Sequence, residues 1–246
     1  MRIGVRCSSR ALCQVLRTAL AAHLVDDLPS RTNYSVREAE VDGKFHLLYR
    51  GGVVVVRTLD RARLVRGLLT HLFGHGAPPA GLLRVDAVAL VRDDAAVLAP
   101  TLLRRDLARI ERRLAQRGFA VLDAPFAHVD PEQAELVVPP LPPSVDLVPL
   151  DALGPRETSP RREAVVEPGR YPLASWAFPT TEETGPLTRA GAVQLALTSS
   201  IAPLAAEPPA VLYRLGQLFG KVPVDRVPLD PPEDVAAALH AIAGRR

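Results

Sequence analysis

Residues 81–138 read GLLRVDAVALVRDDAAVLAPTLLRRDLARIERRLAQRGFAVLDAPFAHVDPEQAELVV, and the order of elements predicted here indicates the fold class. The apolar runs LLRVDAVALV and AAVLAP flank the turn at residues 92–94 and predict two strands. Residues 102–117 carry leucine and isoleucine at helical spacing, which predicts an amphipathic helix that ends at Gly118. FAVLDA then predicts a strand, and a turn beginning at His128 leads into ELVVPP. This order of strand, turn, helix and strand predicts an α/β core.

Towards the N-terminus, residues 1–78 are predicted to form a separate, smaller α/β unit. Ser8 or Ser9 is in position to cap a first helix that runs to about residue 23. A second helix, RARLVRGLLTHLF, follows Asp60. Glycines and prolines after it mark the end of this unit.

Between those two helices, residues 32–58 predict three short strands. The Asp-Gly pair at 42–43 and the Gly-Gly pair at 51–52 are strong hairpin turns. The valine run at 53–56 is typical of a central strand that is buried on both faces.

The core continues to the C-terminus, so that residues 79–246 form one predicted domain. A Pro-rich stretch at about 139–163 is predicted to be a loop or linker. REAVVEPGRYPLASWAFP resumes the strands, LTRAGAVQLALTSS and PPAVLYRLGQLFG predict helices, and VPVDRVPLD and PEDVAAALHAI predict a last strand and helix.

The composition narrows the class of protein. The chain has 246 residues, of which 48% are hydrophobic, so a sizeable core is expected. It has no apolar run of membrane-spanning length and no recognisable leader, so we expect a cytoplasmic protein without a membrane partner. A net charge of +3 and 4% aromatic residues disfavour nucleic-acid binding. Cys7 and Cys13 lack a metal-ligand spacing and are expected to be reduced thiols, one or both buried.

Several phrases resemble the HPr kinase/phosphorylase family and its bacterial HPr-kinase-related members. They are LRVDAVALV, AVLAP, RGFAVLDAPFAHVDPEQAELVVPP, and Pro-Gly-Arg-Tyr-Pro-Leu before LTRAGAVQLAL. The resemblance covers most of residues 34–240. It implies an HPr kinase C-terminal core, similar to phosphoenolpyruvate carboxykinase, with a smaller α/β N-terminal unit. It also implies a glycine-rich loop that wraps ATP phosphates, with lysine and Ser/Thr contacting phosphate and Mg²⁺.

The resemblance places that phosphate loop at residues 100–107, where the sequence is PTLLRRDL. Glycine is required there because the backbone approaches the phosphates closely, and proline lacks the N–H donor. The loop contains neither glycine nor lysine, and Asp106, near the lysine position, would repel a phosphate. The P-loop is degenerate.

Three residues of this loop are the remaining candidates for cofactor binding: Thr101, Arg104 and Arg105. Arginine can clamp phosphate at a helix N-terminus. The alternative is that Arg104 and Arg105 are solvated arginines on the exposed face of an Arg-rich helix.

Two acids are the candidate catalytic residues, Asp86 and Asp123. Asp123 stands where the family has a pair of acids that hold Mg²⁺, which also makes it the metal candidate; its alternative role is to cap the turn at Pro125. Asp86 stands at the position of a strand histidine, and it is equally a hydrogen-bonded turn or strand-edge residue.

Three functional hypotheses follow. The favoured one is a non-catalytic pseudokinase that binds or scaffolds a protein or peptide partner and needs no cofactor. The second is an active ATP-dependent phosphotransferase, a Ser-type protein or peptide kinase with an Arg-based phosphate site that uses ATP and Mg²⁺. The third is an α/β interaction module with the Pro-rich stretch as a docking segment. Homo-oligomer formation is left open.

Overall fold

A computed structural model describes residues 3–25, 32–39, 44–74, 81–105, 107–140, 166–180, 187–199 and 208–245. These residues fall into two compact units, one before position 75 and one after position 80. Both units are mixed α/β structures, and the described residues contain six α-helices and two mixed sheets.

The first unit contains a four-stranded sheet in the order β1-β2-β3-β4. Strand β1 is parallel to β2, whereas the β2–β3 and β3–β4 pairs are antiparallel. Its elements in chain order are β1 (Gly4–Cys7), α1 (Arg10–Ala19), a 3₁₀ turn (Ala21–His23), β2 (Thr32–Arg37), β3 (His46–Arg50), β4 (Val53–Thr58) and α2 (Arg61–Gly74).

The predictions for this unit are largely confirmed, with two corrections. Ser9 caps α1, and three strands with a turn at residues 51–52 precede α2. The prediction of a central strand at the valine run was wrong, because β4 is an edge strand and Val53 is 45% exposed. Strand β1 was not predicted. The predicted turn at residues 42–43 lies outside the described residues.

The second unit contains an eight-stranded sheet in the order β5-β9-β10-β11-β7-β6-β8, with β12 also paired to β11. The β11–β7 and β11–β12 pairs are parallel and the other pairs are antiparallel. The strands are β5 (Leu83–Val85), β6 (Ala87–Arg92), β7 (Ala95–Pro100), β8 (Ala120–Val121), β9 (Ala127–Asp130), β10 (Glu135–Val138), β11 (Gly169–Pro179) and β12 (Val224–Val227).

Helices cover both faces of the middle of this sheet. They are α3 (Leu107–Gln116), α4 (Arg189–Ser199), α5 (Pro208–Leu218) and α6 (Pro232–Ala243). In β7, Val97 packs in one core cluster with α3 and α6, while Leu98 packs in the other with α4 and α5. Every residue of β7 is buried, as expected for a strand with helices on both sides.

Three sequence predictions for the second unit need correction. The run LLRVDAVALV is two strands, because the chain changes partner at Asp86: β5 pairs with β9, and β6 pairs with β7 and β8. The helix predicted at residues 102–117 begins with a 3₁₀ helix, Thr101–Arg105, before α3. His128 lies in β9 and not in a turn. Most of the Pro-rich stretch lies outside the described residues.

Candidate functional site

The candidate site lies where β7 ends and the chain turns towards α3. Pro100 closes β7, and the 3₁₀ helix follows at once. Leu103 is 4% exposed and packs in the same core cluster as Ile110 and Leu114 of α3, so this side chain holds the turn against the core. Leu102 is 45% exposed. The turn is thus held to the core by an apolar contact.

Arg104 joins this turn to two other segments of the chain. Its Nη1 donates to the main-chain oxygen of Pro125 at 2.6 Å, and its Nη2 donates to that of Ala87 at 2.8 Å. Nη2 also lies 3.4 Å from Oδ1 of Asp86. The Arg104 side chain is only 17% exposed. A solvated arginine on an open helix face would make none of these contacts, so that interpretation was wrong for Arg104.

Asp86 receives a second hydrogen bond from the same turn. The Thr101 hydroxyl donates to Oδ1 of Asp86 at 2.7 Å. The carboxylate, 36% exposed, therefore accepts from the residue that opens the 3₁₀ helix and faces the guanidinium of Arg104. Three candidates from two different predictions form one connected polar cluster at the break between β5 and β6: Asp86, Thr101 and Arg104.

The other two candidates are placed as follows. Asp123 is half-buried in the connection between β8 and β9, the same connection that supplies the Pro125 oxygen to Arg104. Arg105 ends the 3₁₀ helix, and its side chain lies outside the described part of the chain. Within the described residues, no group of three or more His, Cys, Asp or Glu side chains is placed to hold a metal ion.

His128 is a polar residue near this site that the sequence prediction assigned to a turn. It lies opposite Arg84 across the β5–β9 pair, and only 8% of it is exposed. Its Nε2 atom is buried with no hydrogen-bond partner among the described residues. Burial, with a smaller contribution from the Arg84 charge, lowers the pKa of His128, so the ring is neutral near pH 7.

The alternation of apolar and polar residues in FAHVD was the only sequence pattern that could have predicted a strand at His128. Ala127 and Val129 are fully buried in the core, so His128 between them must lie on the other face of β9. Phe126 precedes His128 by two residues and is expected on the same side of the chain. The Arg84 guanidinium carbon lies 5.0 Å from the centre of the Phe126 ring. A run of four residues is too short to separate this strand from a turn by sequence alone.

A second polar cluster lies on strands β9, β10 and β11. Nη1 of Arg170 donates to Asp130 at 2.9 Å and to Glu135 at 2.8 Å. Partial burial raises the pKa of Asp130, but hydrogen bonds from Arg170 and from the main-chain N–H groups of Gln133 and Glu132 outweigh it. The net result is a pKa of Asp130 below its ordinary value. These charges are mutually paired and hold three strands in register.

Neither a protein-family model, nor a curated protein, nor a solved structure matches this chain. None of the helices in the described ranges is long and apolar enough to cross a bilayer. The function is therefore inferred from the geometry of the turn after β7.

Proposed function

We propose that the second unit is a non-catalytic HPr-kinase-like domain, a pseudokinase that acts as a binding or scaffolding subunit for a protein or peptide partner. One observation carries the proposal. The Arg104 guanidinium is committed to the main-chain oxygens of Pro125 and Ala87 at the place where a phosphate loop would receive its anion.

The chemistry of phosphate binding supports this interpretation. A phosphate loop needs a concave run of main-chain N–H groups, and glycine allows the backbone to form it. Here the corresponding residues form a 3₁₀ helix without glycine, and Leu103 packs into the core beneath it. The turn is filled by its own side chains.

Recruitment of Arg104 to a phosphate would be costly. The guanidinium would have to leave two buried main-chain oxygens, and each oxygen left without a donor costs about 1–3 kcal/mol. It would also leave the Asp86 carboxylate, which already accepts the Thr101 hydroxyl. A negative charge at this position opposes the approach of an anion.

Calorimetry with Mg·ATP tests the proposal. We expect no heat at millimolar nucleotide for the full chain. Binding in the micromolar range, lost in both Arg104→Ala and Asp123→Asn, would overturn the pseudokinase proposal in favour of an active phosphotransferase with an Arg-based site. Far-ultraviolet circular dichroism of both variants checks that they remain folded, and Arg112→Ala, an exposed arginine of α3, is the matched control.

A binding role also has a direct test. A partner protein that co-purifies with the full chain should remain bound when nucleotide is removed, and it should remain bound to Asp123→Asn, because the fold itself carries the contact. Loss of the partner on either change would tie the binding to the nucleotide site and contradict the proposal.

A further inference from the structure

A histidine lies directly opposite an arginine at one edge of the eight-stranded sheet. Strand β5 is the edge strand, and β9 is its partner in the described sheet. Arg84 of β5 and His128 of β9 are opposite residues of this antiparallel pair. Opposite residues lie on the same face of a sheet, with Cβ atoms about 4.5–5.5 Å apart. The sheet edge therefore brings a permanent cation and a titratable ring together.

The surroundings of His128 suit a neutral ring. The residue is 8% exposed, and its Nε2 atom is buried with no hydrogen-bond partner in the described part of the chain. An imidazolium carries a proton on both ring nitrogens, so protonation would bury a charged donor without an acceptor. The Arg84 guanidinium carbon lies 5.0 Å from the centre of the Phe126 ring, a contact that keeps this cation at the sheet. Protonation of His128 is thus unfavourable while β5 is paired.

The carboxylates on the same face of the sheet are engaged by another cation. The registers of β9, β10 and β11 place Asp130, Glu135 and Arg170 on the face that carries His128. Nη1 of Arg170 donates to Asp130 at 2.9 Å and to Glu135 at 2.8 Å. Strand β6, which also contacts β9, is apolar up to Arg92 at its far end. The acids that could offset an imidazolium are therefore already paired.

We propose that the Arg84–His128 cross-strand pair makes the attachment of β5 sensitive to pH: β5 stays on β9 while His128 is neutral and is released when His128 is protonated. Release separates the two positive charges and brings both to water. The released state therefore binds the proton more tightly than the paired state, and by linkage a fall in pH raises the population of released β5.

The position of β5 allows it to open without the rest of the sheet. It is three residues long and lies at the sheet edge. Leu83 and Val85 are buried in the core, and their burial holds β5 in place when His128 is neutral. Short elements with few partners open locally at a lower free energy than the whole domain. Val85 directly precedes Asp86, which accepts the Thr101 hydroxyl, so release of β5 also loosens the polar cluster at the β5–β6 break.

The pH window follows from the direction of the shift. Burial, with a smaller contribution from the Arg84 charge, lowers the pKa of His128. A group with a lowered pKa in the paired state stabilises pairing fully above its ordinary pKa of about 6.5, and this stabilisation is lost as the pH falls. We therefore expect β5 to be paired at pH 7.5 and to loosen below about pH 6.5.

Hydrogen exchange of the full chain, measured by mass spectrometry, tests the proposal. Protection of peptides that cover residues 83–85 and 127–130, corrected for the intrinsic pH dependence of exchange, should fall about 3- to 10-fold from pH 7.5 to pH 5.5. Trp176 is 2% exposed in the core of the same unit, and its fluorescence should remain native over this range. Constant protection, or Trp176 fluorescence that reports unfolding of the unit by pH 5.5, would overturn the proposal.

Two variants identify the group that binds the proton. His128→Gln has no titrating ring, so the ratio of protection at the two pH values should be close to one, whatever its overall stability. His240→Gln is the matched control, because His240 is an exposed histidine of α6, and it should keep the wild-type ratio. An equal ratio in wild type and His128→Gln would show that another group carries the pH dependence and would overturn the proposal.

A direct measurement on the wild-type chain does not depend on how the variants fold. The ring-proton shift of His128 in an NMR titration should have its midpoint below the ordinary value of about 6.5. A midpoint at or above that value would contradict a ring that is held neutral by the paired strand.

Discussion

The Nη1 atom of Arg104 lies 2.6 Å from the main-chain oxygen of Pro125, so a side chain of the 3₁₀ helix fastens the connection between β8 and β9. The other terminal nitrogen fastens the first residue of β6 in the same way. The Arg104 side chain therefore connects three segments of the second unit and has a structural role.

Arg104→Ala is expected to lower the free energy of unfolding of the second unit by about 2–4 kcal/mol, because two buried main-chain oxygens lose charged donors. Trp176 is the only tryptophan of the chain and is 2% exposed in this unit, so its fluorescence during urea denaturation measures the loss. Thr101→Val, which removes one hydrogen bond to Asp86, should cost about 1 kcal/mol.

Arg112→Ala is the control, since Arg112 is an exposed arginine on α3 and should change stability by less than about 0.5 kcal/mol. Equal stability of Arg104→Ala and Arg112→Ala would contradict the structural role of Arg104.

Ser9→Ala should weaken the start of α1 by about 1–2 kcal/mol, because it removes the cap on Leu12 and one donor to Glu38. Hydrogen exchange of the Leu12 and Cys13 amides should become faster by roughly 5- to 30-fold. Ser9→Thr retains the hydroxyl and should restore most of the protection. Unchanged exchange in Ser9→Ala would mean that the cap does not limit opening of this turn.

Arg170→Gln should move acid unfolding of the second unit to higher pH. The lowered pKa of Asp130 means that this carboxylate stabilises the fold fully above its unfolded pKa, and that the stabilisation is lost as the pH falls through the lower folded pKa. The window therefore lies below about pH 4. Trp176 fluorescence across an acid titration measures the midpoint, and Arg112→Gln should leave it in place.

Two glycines of the second unit should respond oppositely to alanine. Gly216 lies within α5 with open space where the methyl group of an alanine would lie, so Gly216→Ala should stabilise the unit by about 0.5–1 kcal/mol. Gly118 lies in the turn after α3 with φ of +82°, a conformation that costs a residue with a side chain about 1–2 kcal/mol. Urea midpoints that shift in the same direction for both variants would refute this assignment.

The sequence predicted best the strands whose residues are apolar without interruption. The runs that became β6 and β7 are continuously apolar, which suits strands covered on both faces. The valine run of β4 has a similar appearance, but no local signal tells that a strand lies at the edge of its sheet. The break at Asp86 was equally hidden, because a change of pairing partner is a tertiary property.

The candidate site was predictable only as separate residues. The side-chain chemistry of Asp86, Thr101 and Arg104 made each of them a candidate. The hydrogen bond and the ion pair that join them depend on how distant segments of the chain meet, which the sequence does not show. The strongest partners of Arg104 are main-chain oxygens, which every residue possesses and no sequence pattern marks.

The long strand β11 has a consequence for the order of events during synthesis. It starts at Gly169, whereas its neighbour β7 ends at Pro100. Its other two neighbours, β10 and β12, start at Glu135 and Val224. At about 5–20 residues per second, on the order of 3–14 s pass between the synthesis of the end of β7 and the start of its partner β11. The described elements of the first unit are all complete by Gly74. The growing chain therefore exposes an apolar strand edge in its second unit after the first unit has been fully translated, and this interval is when it most needs protection from aggregation.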